Sequence, residues 1–217
     1  MSENNTKSIV QTENKMGFMP LGKLLVQMSL PMMISMFVQS LYNIVDSIFV
    51  ARISENALTA VSLAFPIQNL MFSVALGTGV GINSLLSRRL GEKNFEEVDK
   101  VANNGIFLTI CGFIIFMIVG FIVPRPYFMS QTDNLEIIEY GVTYMRICLI
   151  ACAGVFCSIT FERLLMSTGK TGLSMVSQLT GTVFNLIFDP ILIFGLLGFP
   201  AMGIAGAAVA TVLGQFA

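Results

Sequence analysis

The sequence predicts an all-α integral membrane protein, a polytopic bundle of six helices. Composition is the first reason. Of the residues, 54% are hydrophobic and only 12% charged, whereas a soluble domain is nearer a quarter charged. With a mean hydropathy of +0.78, too little polar surface remains for a fold in water, so lipid is the solvent. The second reason is that the apolar residues fall in long runs. A helix needs about 20 mainly apolar residues to cross ~30 Å of hydrocarbon. The third is that short polar loops separate the runs. Strands of an outer-membrane barrel would be ~10 residues long with alternating polarity.

Residues 1–20 are polar and mixed in charge and read as a disordered cytoplasmic segment. Residues 21–217 form the membrane unit. Its spans run Leu24–Val50, Leu58–Leu86, Ile106–Val123, Ile147–Met166 and Leu173–Leu197, and a sixth starts near Met202 and reaches Ala217. The loops are Arg52–Asn56, Arg88–Lys100, Arg125–Glu139, Thr168–Gly172 and Gly198–Pro200. Pro31, Pro66 and Pro190 lie inside spans, where proline frees a backbone carbonyl and bends a helix. Gly206, Ala210 and Gly214 recur at four-residue steps, as do Gly77 and Gly81. Small residues at this spacing let helices approach closely. Gly77-Thr-Gly79-Val-Gly81 has no preceding strand, so it reads as packing, not as a nucleotide loop.

Orientation follows from the basic residues. Lys7, Lys15, Lys23, Arg88, Arg89, Lys93, Lys100 and Lys170 fall on one side, Arg52 and Arg125 on the other. The N-terminus is therefore expected in the cytoplasm, and the chain in the cell membrane with several passes.

Several function classes drop out. A net charge of −1 gives no case for nucleic acid. The absence of His removes His-ligated zinc and Ser-His triads. Cys111, Cys148, Cys152 and Cys157 all lie in apolar spans and read as packing residues.

Two polar stripes carry the functional reading. They are Ser35, Gln39, Asn43, Asp46 in span one and Gln178, Thr182, Asn185, Asp189 in span five. Steps of three and four place each set on one helix face. A carboxylate in hydrocarbon costs roughly 3 kcal/mol on insertion scales, so it faces a cavity and marks an ion or substrate path. Asp189 lies about eight residues, roughly 12 Å, from the outer end of its span, and Thr211 sits near the same depth in span six. Asp46 is in the outer third of span one. Fourteen Met and eighteen Phe offer adaptable surface for organic cations.

Several segments, taken in order, resemble the multidrug and toxic compound extrusion (MATE) family of cation-coupled exporters. These are Ser29-Leu-Pro31 with Asp46 further along, Ser87-Arg-Arg-Leu-Gly91-Glu-Lys-Asn94, and Phe161-Glu162-Arg-Leu-Leu before Gly169-Lys-Thr171. They continue with Asn185-Leu-Ile-Phe-Asp189-Pro190-Ile-Leu-Ile-Phe-Gly195 and Gly203-Ile-Ala-Gly-Ala-Ala-Val-Ala-Thr211. The resemblance implies one six-helix lobe of a twelve-helix, two-lobe transporter. It implies export of small organic cations or drugs in exchange for H⁺ or Na⁺, with no other cofactor. Asp46, Asn185, Asp189 and Thr211 match its cation-site positions, where Na⁺ would find oxygen ligands. Pro31 matches the position about which helix one is proposed to bend. Glu162 falls where one branch has a functional acid, with Gln39, Asn43, Gln178 and Thr182 lining a polar cavity. Span six ends after about 16 residues. The chain is therefore expected to be the N-terminal lobe of a protein about twice as long, with helix six truncated and a C-terminal lobe as its partner.

Two mechanisms fit these residues. Burial disfavours a charged carboxylate, so Asp189 could exchange a proton. Equally, two ionised carboxylates with amide and hydroxyl oxygens suit Na⁺. Competing functions are a lipid-linked oligosaccharide flippase, an intramembrane aspartyl protease and a structural membrane subunit. A flippase cavity would be basic, and the candidates here are acidic. The protease motifs, Tyr-Asp and Gly-x-Gly-Asp, are missing, because Asp46 follows Val45 and Asp189 follows Phe188. A structural subunit would not need polar stripes that end in carboxylates. No enzyme activity is expected.

Overall fold

A computed structural model describes residues 20–216. All but Pro20 of the disordered segment expected at residues 1–20 lies outside them, as does Ala217. The described chain is helical, with no strand among the described residues. Its helices are α1 (Leu21–Ala51), α2 (Glu55–Gly91), α3 (Phe95–Ile122), α4 (Pro124–Gln131), α5 (Leu135–Ile150), α6 (Ala153–Ser167), α7 (Thr171–Phe194) and α8 (Ile204–Phe216).

Local chemistry sets the helix ends. The Ser54 hydroxyl accepts from the Ala57 amide at 3.0 Å and starts α2, satisfying one of the donors a helix leaves free at its first turn. Asn94 accepts from the Glu97 amide at 3.3 Å and starts α3. Asn134 accepts from the Glu136 amide at 3.0 Å and starts α5. Gly195, at φ 73°, stops α7 in a left-handed turn that a side chain would resist.

These caps correct the hydropathy boundaries. The expected loop Arg88–Lys100 shrinks to Glu92–Asn94, because helix α2 runs on through Arg88 and Arg89 and α3 begins at Phe95. The expected loop Arg125–Glu139 holds α4 and the first turn of α5. Hydropathy marks where lipid begins, whereas caps mark where the helix begins, and the polar ends of these helices stand outside the apolar zone. The fourth span also differs. It begins at Leu135, not Ile147, and is two helices bent by 45°. The bend falls in the small-residue run Ala151-Cys152-Ala153-Gly154.

α1, α2, α3 and α7 are each long and apolar enough to span a membrane, and the bent pair α5–α6 makes a fifth span. α8 is shorter, at 13 residues, and apolar. Outward surfaces are rich in large apolar side chains, such as Phe107, Ile118 and Phe121 on α3, as a lipid solvent requires. The core joins α2, α5, α6 and α8 around Met71, Met145, Leu149, Val155 and Phe156. Ala57, Ala60 and Ala64 line the inner face of α2 with no exposure, which lets neighbouring helices approach. Helix α1 is the outlier. It leans mainly on α7, and only Ser35 and Val50 of it are buried. The four cysteines are free, and Cys148 and Cys152 are buried in this core.

Candidate functional site

The face of α7 that turns inward carries Thr171, Ser174, Asn185, Asp189 and Leu192. Asp189 is fully buried and Asn185 nearly so. Of the polar stripe read from the sequence, Asn185 and Asp189 are therefore packed, whereas Gln178 and Thr182 are half-buried. From α1, Asp46 comes beside Asp189, and the two carboxyl groups are close enough for each to act on the other's charge. When ionised both are acceptors only, so neither can donate to the other. Asp46 Oδ1, both Asp189 carboxylate oxygens and Asn185 Oδ1 are buried without a partner. Buried acceptors left unsatisfied are costly. Four of them converging from two helices form an oxygen cluster that a proton or a hard cation would satisfy. Among the described residues, no group of three or more His, Cys, Asp or Glu gathers in the manner of a dedicated metal centre.

Thr211 reaches the same region from α8. Its hydroxyl donates to the Ala207 carbonyl at 2.9 Å and lies beside the Tyr42 hydroxyl. Tyr42 also sits near Asp46 and Asp189. Behind it, Gln68 of α2 donates to the Tyr144 hydroxyl of α5 at 3.5 Å, and Tyr144 in turn neighbours Asp46, Tyr42 and Cys148. Tyr42, Gln68 and Tyr144 were absent from the sequence-derived set. One signal was available for Tyr42. From Ser35 and Gln39, a step of three reaches Tyr42 and then a step of four reaches Asp46, which fits a helix face as well as the route through Asn43. In the fold Tyr42 is half-buried, whereas Asn43 is exposed.

A cavity of about 250 Å³ opens along the same helices. Gln39 and Ser35 of α1, Asn69 and Ser73 of α2, Glu162 and Arg163 of α6, and Ser174 and Gln178 of α7 contribute its polar wall. Gln39, Gln178 and Glu162 thus meet here, seven residues along α1 from Asp46, or roughly 10 Å. Asn43 and Thr182 do not line it. Thr182 turns its hydroxyl back to the Gln178 carbonyl at 2.9 Å. Pro31 lies in α1 just beyond the cavity. The helix runs on through it, and its carbonyl accepts from the Ser35 hydroxyl at 3.0 Å.

A family model described as MatE matches residues 31–191, which is most of the chain. The chain belongs to the MatE family. Among relatives, it is 29% identical over 193 residues to the "FAD transporter" of Shewanella oneidensis, covering 89% of this chain and 43% of that protein. It is 29% identical over 197 residues to the "Multidrug export protein MepA" of Staphylococcus haemolyticus, covering 88% and 42%. A structure titled "Crystal structure of MATE in the straight conformation" superposes with a TM-score of 0.86 at 30% identity, over 95% of this chain and 45% of that one. Another, titled "Crystal structure of MATE in the bent conformation", gives 0.80 at 31% identity, over 89% and 42%. The chain spans less than half the length of the curated relatives it matches. The MatE chain therefore has the fold of one lobe of such a transporter.

Proposed function

We propose that this MatE chain is the N-terminal lobe of a secondary active antiporter that exports organic cations or drugs in exchange for H⁺ or Na⁺ across the cell membrane. The observation that carries the reading is the Asp46–Asp189 pair, two carboxyl groups set side by side on α1 and α7 with unpartnered oxygens inside an apolar bundle. Nothing in simple packing requires such a pair, and its desolvation is unfavourable unless an ion or proton occupies it during the cycle. The relative named a multidrug export protein supports the substrate class.

In this mechanism the oxygen cluster of Asp46, Asn185, Asp189 and Thr211 takes the coupling ion. Loading removes repulsion between the carboxyls and lets α1, which leans mainly on α7, move against the bundle. Pro31 supplies the bending point, because a helix-interior proline leaves the ladder one bond short. The polar cavity beside Gln39, Gln178 and Glu162 receives the substrate. Coupling then requires that ion and substrate favour different positions of α1. A C-terminal lobe completes the cleft.

Asp189→Asn tests the reading. In vesicles holding the native full-length protein, ion-driven drug efflux should be lost while membrane insertion stays normal. Efflux at the wild-type rate would overturn the assignment of Asp189.

A further inference from the structure

The cavity holds one feature that a cation site does not need. Arg163 lines it next to Glu162, so one wall presents both signs of charge. Ion pairs among the described residues join only Arg88 and Arg89 to Glu92, and Lys100 to Glu96 and Glu97. Neither Glu162 nor Arg163 takes part. Arg163 Nε is buried with no partner, and the guanidinium's other contact is weak, Nη1 donating to the Met166 sulfur at 3.5 Å. A guanidinium with its donors unspent in a half-enclosed space is a fork for a carboxylate or phosphate.

The fold makes room for this arginine. A Cβ built on Gly79 of α2 would lie 2.9 Å from Arg163 Cγ and 3.2 Å from Ile159 Cγ2. The absence of a side chain at Gly79 therefore seats the arginine stem between α2 and α6. The middle glycine of the Gly77-Thr-Gly79-Val-Gly81 run thus serves a charged residue, while Gly77 and Gly81 face open space.

We infer that the cavity between α1, α2, α6 and α7 recognises a small zwitterion, its cationic nitrogen at Glu162 and its anionic oxygens at Arg163. Gln39, Gln178, Asn69 and Ser73 supply neutral hydrogen bonds between the two poles. The volume of about 250 Å³, just under the range for drug-sized pockets, suits a molecule of one or two rings. This inference rests on the exporter reading and specifies its substrate.

The test uses two probes of nearly equal shape, 4-(aminomethyl)benzoate, zwitterionic at neutral pH, and its methyl ester, a plain cation. Binding is measured on the native full-length protein in lipid nanodiscs. The acid should bind about ten- to a hundredfold more tightly than the ester, the range expected for charge-assisted hydrogen bonds. Arg163→Gln should abolish that preference, and Arg163→Lys should keep part of it. If Arg163→Gln does not fold, Gly79→Val, which displaces the arginine stem, should reduce the preference instead. Equal affinity for acid and ester in the wild type, no binding of the acid, or a preference that survives in the variants would overturn the inference. Loss of ester efflux in Asp189→Asn together with any of those results would leave the exporter reading standing and remove only the zwitterion.

Discussion

Gly181 of α7 and Gly214 of α8 face each other across a helix crossing, each with its α-carbon against the other's backbone carbonyl. A Cβ on Gly214 would stand 2.8 Å from the Gly181 oxygen and 2.9 Å from Asn185 Cβ. A Cβ on Gly181 would run into the Gly214 oxygen. This contact fixes the register of α8 against α7, and with it the position of Thr211 beside the Tyr42 hydroxyl.

Adding a methyl at that crossing is therefore expected to affect both stability and transport. Gly181→Ala should cost about 1–3 kcal/mol of overpacking and lower ion-driven efflux by shifting Thr211. Gly77→Ala, which meets nothing within 4 Å, is the control. Thermal unfolding in detergent and vesicle efflux, measured on both variants, check the contrast.

The carboxyl pair should behave as a unit. Asp46→Asn and Asp189→Asn are each expected to abolish coupled efflux, and the double variant should be no worse than either. Residues acting together show such non-additivity. Efflux that falls by multiplied factors in the double variant would mean two independent roles.

Pro31→Ala restores a backbone donor to α1 and removes a proline penalty of about 3 kcal/mol in a helix interior. Thermal stability should rise or hold, and efflux should slow, because the bending point is gone. Faster or unchanged efflux would argue that α1 moves as a rigid rod.

The short helix α4 is held by aromatic anchors. Phe128 is fully buried against Gly141 of α5, and the Tyr127 hydroxyl donates to the Leu63 carbonyl of α2 at 3.0 Å. Phe128→Ala should cost about 3 kcal/mol and release α4, read as faster amide exchange over residues 124–131.

At the turn between α2 and α3, hydrogen bonds from Arg89 and Arg88 hold Glu92 below its ordinary carboxylate range. A lowered value stabilises the turn above the unfolded pKa, and this is lost as pH falls through the folded one. Glu92 is exposed, so the effect on the whole fold is small. Amide exchange at residues 92–94 should be slower in the wild type than in Glu92→Gln at neutral pH, and the two should converge in acid.

Much of this was legible in the chain. Lipid as solvent, helices as elements and the inward faces of α1 and α7 follow from local composition and a period of 3.6 residues, which need no knowledge of partners. That period put Gln39 and Asp46 on one face of α1 and Gln178, Asn185 and Asp189 on one face of α7, whereas Glu162 was named from the family resemblance and stands beside Gln39 and Gln178 only through the packing of α6. It could not separate Tyr42 from Asn43, because neighbours on a helix differ by 100° and only the position of α7 decides which turns inward. Nor could it find Gln68 and Tyr144, which belong to no polar stripe at helical spacing on α2 or α5 and become polar neighbours only by packing. The bend between α5 and α6 was also hidden, since hydropathy averages over a break of two residues. That Arg163 is unspent was not legible in the chain, because whether a charge has a partner is a property of the space around it, and the tertiary structure alone defines that space.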